Sequence, residues 1–215
     1  MKRIAIVILA SVVGGGGVPG AAKAGDIMHA GIAGCVYPHT SQASCASFQR
    51  DTCFGLITQA PAAEYSSVAV YVSGIVGQEG PYLDYVRMNL VDFGIQYADC
   101  YVGPWHSCGT DNDVPTPGWP GDGTGNTVSW AACRGGLIVL VGWFDAYFYP
   151  GGRLTLGAHP TVGWPRVRDC NGYFDGLRGP AEIATYGGIN PNDCAPVAVE
   201  GTTWGRIKST YEEQR

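Results

Sequence analysis

Residues 137–149 (LIVLVGWFDAYFY) constrain the fold more than any other part of this chain. The segment is rich in β-branched and aromatic residues, which is the composition of a strand. Pro150, Gly151 and Gly152 follow, and a second run occupies residues 153–156. Because proline presets the first position of a turn and glycine accepts the positive φ of the next, the sequence predicts a β-hairpin here.

Similar runs recur along the chain at short intervals. They occupy residues 68–76, 86–90, 92–97 and 127–133, and in the second of them Val86, Met88 and Leu90 alternate with polar residues. Frequent glycines divide the final third into short strands. About eight or nine strands at this spacing predict an all-β fold, an antiparallel β-sandwich with disulfides, with a β-barrel as the alternative.

The N-terminus has the order of features of a cleavable secretory signal. Lys2 and Arg3 precede an apolar run at residues 4–13, and residues 22–24 (AKA) place small residues at the cleavage positions. The run is much shorter than the roughly 20 residues that cross a bilayer. We therefore predict a signal peptide at 1–24, a disulfide-stapled β-sandwich domain at 25–200 and a C-terminal tail at 201–215. Removal of the signal leaves no transmembrane span, and the expected location is secreted, periplasmic or at the cell surface.

All cysteines lie beyond the predicted signal. They are Cys35, Cys45, Cys53, Cys100, Cys108, Cys133, Cys170 and Cys194. An even number in an exported chain predicts complete pairing into disulfides. Positions beside predicted strand ends favour Cys170 with Cys194 and Cys100 with Cys133. Zinc binding is disfavoured because the chain has no Cys-x-x-Cys pair. Lipidation is the alternative for Cys35, because residues 32–35 (IAGC) resemble a lipobox.

Helical periodicity occurs in one part of the predicted mature chain, at residues 202–213. Trp204, Ile207 and Tyr211 fall at i, i+3 and i+7 and form a narrow apolar stripe on a short C-terminal amphipathic helix. A helix this short is not stable alone in water. The stripe must therefore pack either on the domain itself or on a sorting or surface partner.

The tail also carries a resemblance to known sequences. Residues 202–211 (TTWGRIKSTY), together with residues 141–144 (VGWF), Asp169-Cys170 and the late Cys194, resemble secreted β-rich proteins of environmental bacteria. Those proteins end in a Thr-Trp-Gly-x-Ile-Lys-x-x-Tyr tail and have no known activity. The resemblance implies export and a β-rich fold, and it implies no catalytic residue.

The 137–149 strand also contains the candidate ligand-binding surface. Alternation places Ile138, Leu140, Gly142, Phe144, Ala146 and Phe148 on one face, and Val139, Val141, Trp143, Asp145, Tyr147 and Tyr149 on the other. One face must line the core. The other presents Trp143, Tyr147 and Tyr149 around Asp145, which suits sugar rings or a protein partner. The alternative is that both faces are buried, beneath the N-terminal cysteine-rich segment or the final helix.

Two loops are rich in the oxygen ligands that calcium prefers. Asp111, Asp113, Asp122 and Asn126 lie in one Gly/Pro-rich stretch, and Asp169, Asn171 and Asp175 form a shorter cluster. Neither has the spacing of an EF-hand loop. The alternative is that these residues simply form turns, and no other cofactor is expected.

Motifs for the common enzyme chemistries are absent from the sequence. It has no Gly-x-Ser-x-Gly, His-Glu-x-x-His, P-loop or dinucleotide fingerprint. A glycosidase pair among Asp84, Asp92, Asp99 and Asp145 is the remaining route. The net charge of −5 and the lack of a basic cluster argue against nucleic acid. We predict an exported, non-catalytic binding, adhesive or envelope-structural module with a protein or glycan partner, the alternative being a secreted hydrolase acting on polysaccharide.

Overall fold

The computed structural model describes residues 30–52, 55–74 and 86–190. The predicted signal at 1–24, the tail with Trp204, Ile207 and Tyr211, and Asp84, Cys53 and Cys194 lie outside the described residues. The strands are β1 Ala30–Pro38, β2 Glu64–Gly74, β3 Val86–Ser107, β4 Asn112–Pro115, β5 Gly125–Gly136, β6 Ile138–Gly157, β7 Arg166–Asp169, β8 Phe174–Gly176 and β9 Ala181–Ala184. One short 3-10 helix spans Cys45–Phe48. The described residues include no helix long and apolar enough to cross a membrane.

The strands form a two-layer antiparallel β-sandwich, which confirms the predicted fold class. The main strand order is β1-β2-β6-β3-β5-β4, with β9 beside β6, β7 beside β3, and β8 beside β7. The long strands β3 and β6 bend and belong to both layers. The first layer contains β1, β2, the first half of β6 and the second half of β3. The second contains the other halves with β4, β5, β7, β8 and β9. Over the described residues the sheet stays open and does not close into a barrel.

The predicted hairpin at Pro150 is wrong. β6 continues through Pro150, and β3 pairs with it on both sides of that residue. Asp99 of β3 and Gly151 of β6 both have positive φ, 50° and 85°, so the two strands bend together. A Cβ atom on Gly152 would lie 2.3 Å from the Asp99 carbonyl oxygen. The Pro-Gly-Gly segment therefore carries a paired strand from one layer to the other.

A β-bulge in β6 changes which of its side chains face the core. Val70 pairs with Gly142 and Tyr71 pairs with Leu140, so Val141 is the extra residue, and a bulge re-aims the side chains on either side of it. The main core receives Val139, Val141, Phe144, Ala146 and Phe148, whereas a second cluster on the outer face receives Ile138, Leu140 and Trp143. The predicted alternation is therefore correct after the bulge and inverted before it.

The main core lies between the two layers. Its largest fully buried side chains are Ile32, Met88, Phe93, Phe144 and Phe148. A smaller outer core lies on the other side of the first layer, where Phe48 of the 3-10 helix packs near Tyr71 and Trp143. The Tyr71 hydroxyl donates a hydrogen bond to the Phe48 carbonyl at 2.7 Å. The segment after β1 therefore covers part of this face.

Two disulfides join the described residues, and they differ from the predicted pairs. Cys45 bonds Cys108, and Cys133 bonds Cys170. Cys133 and Cys170 lie at the ends of β5 and β7, which flank the same part of β3 and so bring the two Cα atoms to 5.7 Å. The prediction that Cys35 and Cys100 are disulfide-bonded is wrong, because both are free thiols.

Each free thiol has a local environment that explains its isolation. Cys35 lies in the middle of β1, is buried in the outer core, and its sulfur accepts a hydrogen bond from the Ile57 amide. Cys100 lies beside the β3 bend. Burial, reinforced by Asp122 and Asp99, raises the pKa of the Cys100 thiol to about 12. Burial keeps reagents from the Cys35 thiol, and the raised pKa of Cys100 disfavours its thiolate.

We expect both thiols to resist maleimide in the native protein at pH 7. After unfolding without reductant, Cys35 and Cys100 should be labelled, and peptide mapping should recover the 45–108 and 133–170 links. Mass spectrometry measures both results. Rapid native labelling of Cys100, or a peptide in which it is disulfide-linked, would contradict these thiol assignments.

Candidate binding surface

Trp143 is not available as a ligand platform. Its side chain is only 6% exposed. Phe48 packs against it with ring centroids 5.3 Å apart, and His106 stacks on it at 4.2 Å. The Cys45–Cys108 disulfide attaches the Phe48 helix to the chain just after β3. The predicted burial beneath the cysteine-rich segment is therefore correct for this residue.

Beyond Trp143 the same face opens into a surface of four tyrosines, which we call the tyrosine surface: Tyr65, Tyr101, Tyr147 and Tyr149. Tyr147 of β6 is directly opposite Tyr65 of β2 on one side and Tyr101 of β3 on the other. The Tyr147 ring lies 5.0 Å from that of Tyr65 and 5.1 Å from that of Tyr149. Tyr65, Tyr101 and Tyr149 are 53%, 55% and 52% exposed.

Asp145 lies between the covered and the open parts of this face. Its Oδ1 atom accepts a hydrogen bond from the Ser67 hydroxyl at 2.8 Å and lies 3.1 Å from His39 Nδ1. These contacts hold the His39 ring 5.8 Å from that of Tyr65. Ser67 is fully buried, so it cannot reach a substrate, and the arrangement fixes the edge of the tyrosine surface.

Sequence reasoning found Tyr147, Tyr149 and Asp145 but missed Tyr65 and Tyr101. Tyr65 is at the start of β2, two residues before Ser67. The period of two in a strand therefore places both side chains on the same face. The position of Tyr65 beside Tyr147 depends on strand pairing between residues 82 positions apart, which no local pattern specifies. A shallow cavity of about 360 Å³, lined by His39, Tyr65 and Pro61, borders the surface.

The sequence matches no family model and no curated protein. Among solved structures, it is similar to a cohesin module from a family 33 glycoside hydrolase of Clostridium perfringens ATCC13124, at 8% identity and a TM-score of 0.42, covering 71% of this chain and 95% of that one. It is also similar to a type II cohesin domain from the cellulosome of Acetivibrio cellulolyticus, at 12% identity and a TM-score of 0.43, covering 72% and 95%.

The four predicted calcium ligands do not come together. Asp111 Oδ2 accepts a hydrogen bond from the Ala131 amide at 2.6 Å, and Asp122 Oδ1 accepts one from the Tyr97 amide at 2.7 Å. Asn126 is fully buried, and Asp113 lies on the edge strand β4. Within the described residues no group of three or more His, Cys, Asp or Glu side chains could hold a metal. Asp111 and Asp122 bind backbone amides instead.

The second acidic cluster shapes a turn. Asp169 Oδ1 accepts hydrogen bonds from the amides of Asn171 and Tyr173, at 2.9 and 2.8 Å, in the connection between β7 and β8. Burial, with the nearby Asp169 adding to it, raises the pKa of Asp175. These contacts are those of an Asx turn, which is the alternative stated for the cluster.

The hydrolase alternative requires two neighbouring carboxylates, and the described candidates for that pair lie apart from one another. Asp92 is buried, accepts a hydrogen bond from the Thr127 hydroxyl, and pairs with Arg166, whose Nε lies 2.6 Å from Asp92 Oδ2. Asp99 lies in the bend of β3, and Asp145 lies on the outer face of the first layer. A glycosidase needs two carboxyl groups across one cleft, and these three side chains do not form such a pair.

His159 lies near the Asp92 pair and gives stability a pH dependence. The side chain is 5% exposed, and its Nδ1 atom accepts a hydrogen bond from the Thr161 amide at 3.3 Å. Burial lowers the pKa of His159; Arg166 lowers it further, and Asp92 opposes them. Below about pH 6.5 the unfolded histidine takes up a proton before the folded one does. Protonation therefore favours unfolding as the pH falls.

We expect a His159→Gln variant to lose less stability than the wild type between pH 7 and pH 5. Urea unfolding midpoints at several pH values measure the difference. Identical slopes for the wild type and His159→Gln would contradict the assignment.

Proposed function

We propose that this protein is an exported, non-catalytic binding module that contacts a protein partner through the tyrosine surface. The observation that supports this most is the row of Tyr65, Tyr147 and Tyr101 across three neighbouring strands. Tyrosine offers a large, rigid contact area at a low cost in side-chain entropy, and it is enriched among the residues that dominate binding energy. The strands that carry the row are hydrogen-bonded to one another, so little backbone ordering is required when a partner binds.

The charge around the surface favours a basic partner. Glu64 precedes Tyr65, Asp99 lies two residues before Tyr101, and Asp145 borders Tyr147. The chain as a whole has a net charge of −5. Arginine and lysine side chains can lie over tyrosine rings in cation–π contacts and pair with these carboxylates at the rim. The proposed partner is therefore a protein surface that presents basic side chains.

Export is part of the same proposal. The disulfides Cys45–Cys108 and Cys133–Cys170 are typical of proteins that fold in an oxidising compartment. The charged start, apolar run and Ala22-Lys23-Ala24 site supply the matching signal. A secreted, periplasmic or cell-surface module that binds or anchors another envelope or extracellular protein follows from these features.

Site-specific photo-cross-linking tests the proposal in cells that export the full chain. A photoreactive amino acid in place of Tyr149 should form a specific covalent adduct with a partner protein. The same group at Tyr186, which is 82% exposed and lies near the end of the described residues, is the matched control. Adducts from both positions, or from neither, would contradict the proposed surface.

A further inference from the structure

The second layer carries a trough on its outer face, well away from the tyrosine surface. Its floor consists of facing pairs of residues from β3 and β6: Gly94 opposite Gly157, Gln96 opposite Thr155, and Ala98 opposite Arg153. Two adjoining cavities of about 300 and 420 Å³ share Gln96, Thr155 and Pro180 and form one continuous trough. Three such pairs along a strand span about 14 Å, the length of a chain-like ligand.

Trp164 forms the wall at the glycine end. It is 48% exposed although it is among the largest side chains in the protein. It rests on Gly176, where a Cβ atom would lie 2.8 Å from the indole ring, so its position is fixed by the backbone beneath it. Gly157 places no side chain on the floor beside it, whereas the Ala158 backbone covers Gly94. The cavity of about 300 Å³ beside the indole therefore provides the space for a flat ring.

The other end of the trough is polar. Thr155 and Glu182 are directly opposite each other on β6 and β9, and Arg153 and Asp122 complete the lining. Within the described residues the side chains of Gln96, Thr155, Arg153 and Glu182 have no hydrogen-bond partner. Amide, hydroxyl, guanidinium and carboxylate groups thus face the same space, and they can both donate to and accept from a ligand.

We infer that this trough binds a neutral carbohydrate chain. An exposed indole at the wall of the cavity suits the flat face of a sugar ring, and the polar end suits its hydroxyl groups, which also donate and accept. Charges of both signs in the lining favour a neutral ligand over a polyanion. An extended peptide is less suited, because β6 is paired on both edges here and β3 is paired with β6 and with residues 122–124. Among the described strands that line the trough, no backbone edge is left for strand addition.

Affinity gel electrophoresis of the full chain tests the inference. The probes are soluble neutral polysaccharides, namely β-glucan, arabinoxylan, galactomannan and dextran, with polygalacturonate and a proline-rich peptide as contrasts. We expect retardation by at least one neutral polysaccharide, a loss of at least tenfold in affinity for Trp164→Ala, and partial rescue by Trp164→Phe. Tyr186→Ala is the matched aromatic control and should bind like the wild type.

A second variant separates binding from folding. A Cβ atom on Gly157 would contact only the Pro180 side chain, at 3.5 Å, so Gly157→Val should fold and fill the trough. It should lose polysaccharide binding while keeping the wild-type melting temperature. Retardation by none of the neutral polysaccharides, binding of the peptide or polygalacturonate instead, or unchanged affinity in Gly157→Val would overturn the inference. Replacing Tyr65 and Tyr147 should leave this binding intact, which distinguishes it from the proposed protein-binding function.

Discussion

Replacing Gly142 with alanine is expected to destabilise the protein by about 3 kcal/mol, the upper part of the range for overpacked cores. A Cβ atom at this position would lie 2.3 Å from the Trp105 ring and 2.6 Å from the His106 carbonyl oxygen. The carbonyl belongs to β3, which pairs with β6 here. Trp105 is held in turn by Phe93, at 5.6 Å between ring centroids. Relief of the clash therefore requires the strand ladder or the aromatic cluster to move.

Gly157→Ala is the matched control, because it changes a glycine of the same strand at a place with room for a methyl group. Alanine is normally the better residue in a strand interior, so this variant should be as stable as the wild type or slightly more stable. Urea unfolding of both variants measures the difference. A Gly142→Ala midpoint equal to that of the wild type would show that Trp105 does not pack on β6 in this way.

Loss of the Cys45–Cys108 disulfide is the second large effect that we expect. The bond closes a loop with a sequence separation of 63 residues, for which the chain-entropy treatment gives about 4 kcal/mol. Domains of this size have a total stability of about 5–15 kcal/mol. Besides this general loss, the double variant Cys45→Ser/Cys108→Ser should release the Phe48 helix and expose Trp143. Thermal unfolding and residue-level hydroxyl-radical footprinting measure the two effects.

The double variant Cys133→Ser/Cys170→Ser is the control for that experiment. Its sequence separation of 37 residues predicts a slightly smaller loss of stability. Trp143 should stay protected in it, because this bond lies in the other layer of the sandwich. Equal oxidation of Trp143 in the wild type and in Cys45→Ser/Cys108→Ser would contradict the role of the first disulfide as the attachment of the cover.

The structure shows which physical information a sequence contains about this fold. Strand runs and their period of two reflect local propensity and burial, so the all-β class and the outward direction of Tyr147 and Tyr149 could be predicted. The bend at Pro150 could not, because a Pro-Gly-Gly segment suits a hairpin equally well when taken alone. The bend forms instead of a hairpin because β3 pairs with β6 on both sides of Pro150, with Asp99 in a left-handed conformation.

The tyrosine surface was only half predictable for a related reason. The bulge beside Val70 exchanges inward and outward side chains before Gly142, and a bulge has no sequence signature strong enough to place it. Trp143 looked like the natural centre of an aromatic face, yet Phe48, almost a hundred residues earlier, covers it. Tyr65 and Tyr101 join the surface only through long-range pairing. Each of these errors concerns contacts between distant parts of the chain.

The proposed binding surface leads to a test with paired variants of the same chemistry. Tyr65→Ser/Tyr147→Ser removes two rings from the row, and Tyr173→Ser/Tyr186→Ser removes two exposed rings elsewhere. Both pairs change the exposed aromatic area without touching the main core. Tyrosines at the centre of an interface contribute about 2 kcal/mol or more each, so the first pair should weaken binding at least a hundredfold.

Isothermal titration calorimetry of the full chain, with the partner protein that cross-links at Tyr149, measures this most directly. The account predicts that Tyr65→Ser/Tyr147→Ser loses at least a hundredfold in affinity, while Tyr173→Ser/Tyr186→Ser binds within twofold of the wild type. Equal affinity for the wild type and Tyr65→Ser/Tyr147→Ser, or an equal loss in the two double variants, would contradict the tyrosine surface as the binding site.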